Sequence, residues 1–100
     1  MTDDEEIQAA QRKAEKLAAD QVKNDARAIM STHEGRRFAW YLLSQAGIYR
    51  SSYSSDPLAM AYNEGQRNNG LQLMALLTAH CPEQYAKMAN EQTENEGINQ

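Results

Sequence analysis

Cysteine, proline and glycine are all scarce in this chain of 100 residues, and each shortage excludes a class of protein. Cys81 is the single cysteine, which excludes an internal disulfide framework and a cysteine-rich zinc site. Two prolines and five glycines are too few for a turn-dense all-β fold. No apolar run approaches the roughly 20 residues that a membrane-spanning helix needs. The sequence therefore predicts a small soluble helical domain in a reducing compartment.

Positive charge is scarce as well, and the net charge is −4. Residues 1–30 hold seven acids and five bases, residues 31–70 hold three acids and four arginines, and residues 71–100 hold four acids and one lysine. Six of the seven aromatic residues lie between Phe38 and Tyr62. The middle of the chain is thus the expected compact region, with an acidic flank on each side.

The first 30 residues favour one long helix, since residues 3–30 contain no glycine or proline and many strong helix formers. Its apolar stripe is thin and consists of Ile7, Ala10, Ala14, Leu17 or Ala18, Val22, Ala26 and Ile29. Alanines bury little surface, so we expect residues 1–20 to form an exposed helical extension. Two interpretations stay open, a solvated helix and a helix docked on another molecule.

A second helix is predicted to begin near Thr32 and to stop at Gly47; Ser31 and Glu34 have capping-box spacing, and Thr32 is the alternative cap. The third helix has a clear start at Asp56 and Pro57. Within it, Gly65 predicts a close helix crossing or, alternatively, a kink.

Pro82 ends the third helix and begins a short fourth one. The predicted fold is all-α, a three- to four-helix unit over residues 21–90, with a flexible acidic tail over residues 91–100. The expected core consists of Phe38, Leu42, Leu73, Leu76 and Leu77.

Catalytic and metal-binding patterns are poorly represented. His33, His80 and Cys81 are the best nitrogen and sulfur ligands, but they lack the spacing of a zinc site. No nucleophile motif or phosphate-binding loop is present. We therefore expect no enzyme activity, no cofactor and no bound metal.

Arginines interleave with aromatic residues in the middle segment and form the predicted partner-binding set: Arg36, Arg37, Trp40, Arg50 and Arg67. Three roles are open. The arginines can pair with Glu34 and Glu64 within the chain, contact another protein, or bind nucleic acid. Nucleic-acid binding is the least favoured role, because it needs several uncompensated bases.

Two motifs carry a resemblance to a known family. The segment GRRFAWYLLSQAGIYRSSY at residues 35–53 and the segment NEGQRNNGL at residues 63–71 resemble small proteins of tailed bacteriophages, mainly short-tailed podoviruses. The resemblance covers about residues 30–88. Genes of this family tend to lie near those for the portal and the large terminase.

The resemblance implies an accessory structural or assembly protein that acts by protein–protein contact in the head or portal region. Its implied partners are portal, capsid or internal virion proteins, or a second copy of the chain. Its implied location is the host cytoplasm during assembly, with retention in the virion left open. The alternative is a small nucleic-acid-binding or regulatory phage protein. Some family members are described as peptidases, which no residue pattern here supports.

Overall fold

A computed structural model of the chain describes residues 2–98 and the side chains of residues 2–95. This part of the chain forms four α-helices without a strand: α1 (Asp3–Met30), α2 (His33–Ala46), α3 (Pro57–His80) and α4 (Pro82–Ile98). The predicted all-α fold is confirmed. Residue 1 of the predicted extension and residues 99–100 of the predicted tail lie outside the described residues.

Local side chains set the helix starts that the sequence predicts. The Thr32 hydroxyl accepts a hydrogen bond from the Gly35 N–H at 2.9 Å, and Asp56 accepts one from the Leu58 N–H at 3.2 Å. Gly47 ends α2 with a φ of 78°, in the left-handed region that favours glycine. These caps satisfy backbone groups that a helix end leaves free, so the boundaries are fixed locally.

The fourth helix is longer than the sequence predicts. It continues through Ile98, and Glu91 and Gln92 are half-buried within it. The predicted start of the tail at residue 91 is therefore too early, since Glu91 and Gln92 pack as part of α4. The physical reason is that Met88, which is fully buried, and Glu91 lie one turn apart and anchor the same side of α4 in the fold.

Helices α2 and α3 pack on each other at the centre, with α1 on one side of the pair and α4 on the other. The buried apolar core consists of Met30, Ala39, Leu43, Ile48, Leu77, Cys81 and Met88. The Cα radius of gyration is 18.4 Å, well above the roughly 13 Å of a compact chain of this length. The first two thirds of α1 explain the excess, because residues 2–22 are exposed throughout.

The close helix crossing occurs at Gly70 and not at the predicted Gly65. A Cβ on Gly70 would lie 2.5 Å from both Ala46 Cβ and Ile48 Cγ2, whereas a Cβ on Gly65 would meet nothing within 4 Å. The absence of a side chain at Gly70 lets α3 approach the end of α2 and the turn that follows it.

The predicted core is correct for Leu77 and wrong for three other residues. Leu77 is buried and Leu73 is half-buried, but Phe38, Leu42 and Leu76 are 60%, 43% and 41% exposed. The buried residues of α2 are Arg36, Ala39 and Leu43. Phe38 and Leu42 consequently face the side of α2 where the helices leave a groove.

Candidate protein-interaction site

Arg36, one of the predicted partner-binding residues, lies in the interior and is 5% exposed. Its Nε donates to Glu91 Oε1 at 2.6 Å, and its Nη1 donates to the Met30 carbonyl at 3.0 Å and to Gln84 Oε1 at 3.3 Å. The guanidinium thus ties the end of α1 and the start of α2 to α4. Arg36 is not accessible to a partner, and the prediction is corrected at this residue.

Glu91 also lies 2.5 Å from His33 Nδ1 through its second carboxylate oxygen, Oε2. That oxygen is buried, and the His33 ring nitrogen lies within hydrogen-bond distance of it. Burial by itself would raise the pKa of Glu91. The hydrogen bonds from Arg36 and His33 outweigh burial and hold that pKa below its ordinary value.

The sequence interpretation missed this cluster because it assigned Glu91 to a solvated tail. A usable signal was present, since Gln84, Met88 and Glu91 are spaced by four and three residues and so share one face of a helix. The expected partners of the arginines, Glu34 and Glu64, make no ion pair with Arg36. Glu64 instead accepts a hydrogen bond from the Ser52 hydroxyl.

Trp40 is half-buried and packs between α2 and the turn that follows it. Its ring stacks on Tyr49 with the ring centroids 4.8 Å apart, and the Tyr49 and Tyr85 hydroxyls are 3.3 Å apart. Burial and the hydrogen bond with Tyr85 raise the pKa of Tyr49. One part of Trp40 therefore belongs to the fold, and only the remaining part is available to another molecule.

Arg50 and Arg67 come together at a polar cleft of about 130 Å³ between the 47–52 turn and α3. The Arg50 guanidinium lies 3.4 Å from the Ser44 carbonyl, and Asn63 and Gln66 line the same cleft. Arg37 is exposed on α2. Among the side chains of residues 2–95, no carboxylate lies within 4 Å of these three arginines. They keep their positive charge available at the surface.

An apolar groove of about 310 Å³ runs between α1, α2 and α3. Its walls include Val22 and Ile29 of α1, Phe38 and Leu42 of α2, and Leu76 of α3, each between 41% and 60% exposed. Scattered exposed apolar residues are ordinary, but a contiguous patch of large ones is typical of an interaction surface. The sequence interpretation selected Phe38, Leu42 and Leu76 and assigned them to the core.

Cys81 is 5% exposed at the end of α3, and burial raises the pKa of its thiol. A raised pKa disfavours the thiolate, which is the reactive form of cysteine. Within residues 2–98, none of the helices is both long and apolar enough to cross a membrane. No group of three or more His, Cys, Asp or Glu residues within the same range could hold a metal ion.

Comparison with known proteins identifies one family. The family model described as Bbp19-like phage protein matches residues 26–90, which include the C-terminal end of α1, all of α2 and α3, and the first half of α4. The chain has no significant match among curated proteins or among solved structures.

Proposed function

Because this chain belongs to the family of Bbp19-like phage proteins, we propose that it is an accessory structural or assembly protein of a bacteriophage. It acts through protein–protein contacts in the head or portal region of the virion, in the host cytoplasm during assembly. The proposed contact surface is the part of the predicted set that stays accessible: Arg37, Trp40, Arg50 and Arg67.

The observation that carries this proposal is the pairing of Arg50 and Arg67 in one polar cleft, with no described carboxylate within ion-pair distance of either. Arginine is enriched at binding hot spots because its planar guanidinium forms two parallel hydrogen bonds with a carboxylate. Two such groups that lack an internal acidic partner fit an acidic surface on another protein.

Phage particles assembled with charge-reversed variants test the proposal. Arg67→Glu should reduce the copy number of the protein in purified particles at least tenfold, measured by quantitative mass spectrometry. The matched control is Lys87→Glu, which makes the same charge change at an exposed position on α4 and should leave the copy number unchanged. Normal incorporation of Arg67→Glu, or its failure to fold by circular dichroism, would contradict a role of Arg67 in partner binding.

The same cleft also favours the second candidate, a small nucleic-acid-binding protein, since paired arginines can contact phosphates. That function predicts binding to duplex DNA that weakens steeply between about 50 and 200 mM salt. Fluorescence anisotropy with a labelled DNA duplex separates the two candidate functions, because the proposed assembly role predicts no salt-dependent binding to DNA.

A further inference from the structure

The apolar groove is continuous with an exposed face of the protruding part of α1. Val22 and Ile29 belong to the α1 wall of the groove. At 100° per residue, Ile7, Ala14 and Ala18 project from the same side of α1 as that wall. All three are exposed, and Ile7 is 54% exposed. One face of one helix is thus a groove wall at its C-terminal end and an apolar ridge at its N-terminal end.

We propose that a second copy of this chain occupies the groove, with the two α1 helices antiparallel about a twofold axis near Ala18. The contact stripe is the set of α1 positions 7, 11, 14, 18, 22, 25 and 29. These positions recur with a period of 11 residues, so they lie on one face of a nearly straight helix. Their spacing is symmetric about Ala18. In the antiparallel pair, Ile7 of each copy faces Ile29 of the other, and Ala14 faces Val22.

The polar members of the stripe fix the direction of the pair. Asp25 is the single charged residue among the described residues that line the groove. The antiparallel arrangement places Gln11 of the other copy opposite it, and the Gln11 amide can donate a hydrogen bond to the Asp25 carboxylate. A parallel arrangement would place two Asp25 carboxylates face to face in an apolar setting, where like charges repel strongly.

Charge along α1 favours the same direction. Residues 3–10 carry four acids and no base, whereas residues 11–30 carry three acids and five bases. With the axis at Ala18, the acidic residues 3–10 of each helix lie beside residues 26–33 of the other, which contain Arg27 and no acid, and the antiparallel pair also opposes the two helix dipoles. The small side chains of Ala14 and Ala18 allow the two axes to approach to about 8 Å.

A second copy fits better than an unrelated helix because each chain carries both the ridge and the groove. A twofold axis brings the ridge of each copy into the groove of the other, so both grooves fill in one closed assembly. The large apolar side chains of Phe38, Leu42 and Leu76 then lie against the other copy. This inference goes beyond the proposed function and does not depend on it.

The mass in solution tests the pairing. Light scattering during size exclusion should give about twice 11.3 kDa for the natural chain. Ala18→Glu should weaken association about 100-fold or more, because it places two carboxylates at the axis. The matched control is Ala9→Glu, which makes the same change on the opposite side of α1 and should stay dimeric. A natural chain that is monomeric up to about 100 µM, or an Ala18→Glu variant that stays dimeric, would overturn the proposal.

Cysteine cross-linking tests the direction. Under mild oxidation, Ala18→Cys should form a covalent dimer with itself, and Ile7→Cys should cross-link only when mixed with Ile29→Cys. Cross-linking of Ile7→Cys to itself would instead show a parallel pair and overturn the proposal. Capture of another virion protein in the groove of a monomeric chain would overturn it as well. Incorporation of Arg67→Glu into particles leaves these results unaffected, so the two proposals fail independently.

Discussion

The two sides of α2 are both apolar, yet only one of them is closed. On the side toward α3 and α4, Leu43 is buried and Arg36 binds Glu91. On the side toward α1, Phe38 and Leu42 are 60% and 43% exposed and border an open groove.

The covering helix explains the difference. Helix α4 places the fully buried Met88 and the carboxylate of Glu91 on its inner face, so it both excludes water and neutralises a buried charge. Helix α1 contributes Met30 to the core at its very end, and the rest of its stripe is rich in alanine. Alanine removes little surface from water, so α1 holds to the body only near its C-terminus.

The largest expected effect comes from adjacent leucines on the two sides. Leu43→Ala should lower the free energy of unfolding by about 2–5 kcal/mol, since Leu43 is fully buried and its truncation leaves a cavity. Leu42→Ala should lower it by about 1 kcal/mol or less, since Leu42 is largely exposed in the single chain. Urea unfolding of both variants in an Ala18→Glu background keeps association out of the measurement. Equal losses would show that the groove side is closed in solution.

The ion pair on the closed side gives the next effect. Glu91→Ala leaves the buried Arg36 guanidinium without its carboxylate and should lower the free energy of unfolding by about 3 kcal/mol. The control is Glu94→Ala, at an exposed position on the same helix, which should change it by less than about 0.5 kcal/mol. The double variant Arg36→Met with Glu91→Leu should recover most of the loss, because an apolar pair replaces the ion pair. If Glu91→Ala and Glu94→Ala lowered the free energy of unfolding equally, the packing of α4 on Arg36 would be contradicted.

Two glycines on α3 sharpen the comparison with effects of opposite sign. Gly70→Ala should lower the free energy of unfolding by about 1–3 kcal/mol, because its Cβ collides with Ala46 and Ile48. Gly65→Ala should raise it by about 0.4–1 kcal/mol, because that position is open and alanine restricts the unfolded chain. Thermal unfolding followed by circular dichroism measures both effects. If Gly65→Ala were destabilised, the close helix crossing would lie at Gly65, in contradiction to the structure.

The smallest expected effect is a pH dependence of the closed side. The pKa of Glu91 is lower in the folded protein than in the unfolded chain, so the folded state binds that proton less readily. The resulting stabilisation is complete above the unfolded-state pKa of about 4.3 and is lost as the pH falls through the lower folded-state value. When the pH is lowered from about 5 to about 3, the free energy of unfolding measured with urea should fall more for the natural chain than for Glu91→Gln. Parallel pH curves for the two proteins would contradict a lowered pKa of Glu91.

Helix content and the boundaries near Thr32, Gly47 and Asp56 were predictable because they depend on neighbours in the chain, whereas the end of α4 was not. Thr32, Gly47 and Asp56 satisfy or terminate the backbone within a few residues of themselves, so their roles are visible in the sequence. The family model of Bbp19-like phage proteins matches residues 26–90, which contain residues 30–88, the region where the sequence resembles phage proteins.

The candidate site was predictable in part. The sequence selected Arg50 and Arg67 for their charge but did not bring them into one cleft, because a turn and a helix meet there only in the folded chain. It selected Phe38, Leu42 and Leu76 as apolar but assigned them to the wrong environment. Hydrophobic periodicity identifies which residues share a face and does not identify what covers that face.

The sequence by itself determined an all-α fold of three to four helices, the caps at Gly47 and Asp56, and an α1 with too little apolar surface to bury its own length. Tertiary structure alone decided that Arg36 faces inward, that Glu91 reaches it across 55 residues, and that Gly70 rather than Gly65 marks the helix crossing. Caps and propensities act over one or two turns, whereas burial depends on how distant helices are placed. The buried ion pair between Arg36 and Glu91 therefore follows from where α4 packs, and the open groove beside α2 follows from where α1 packs.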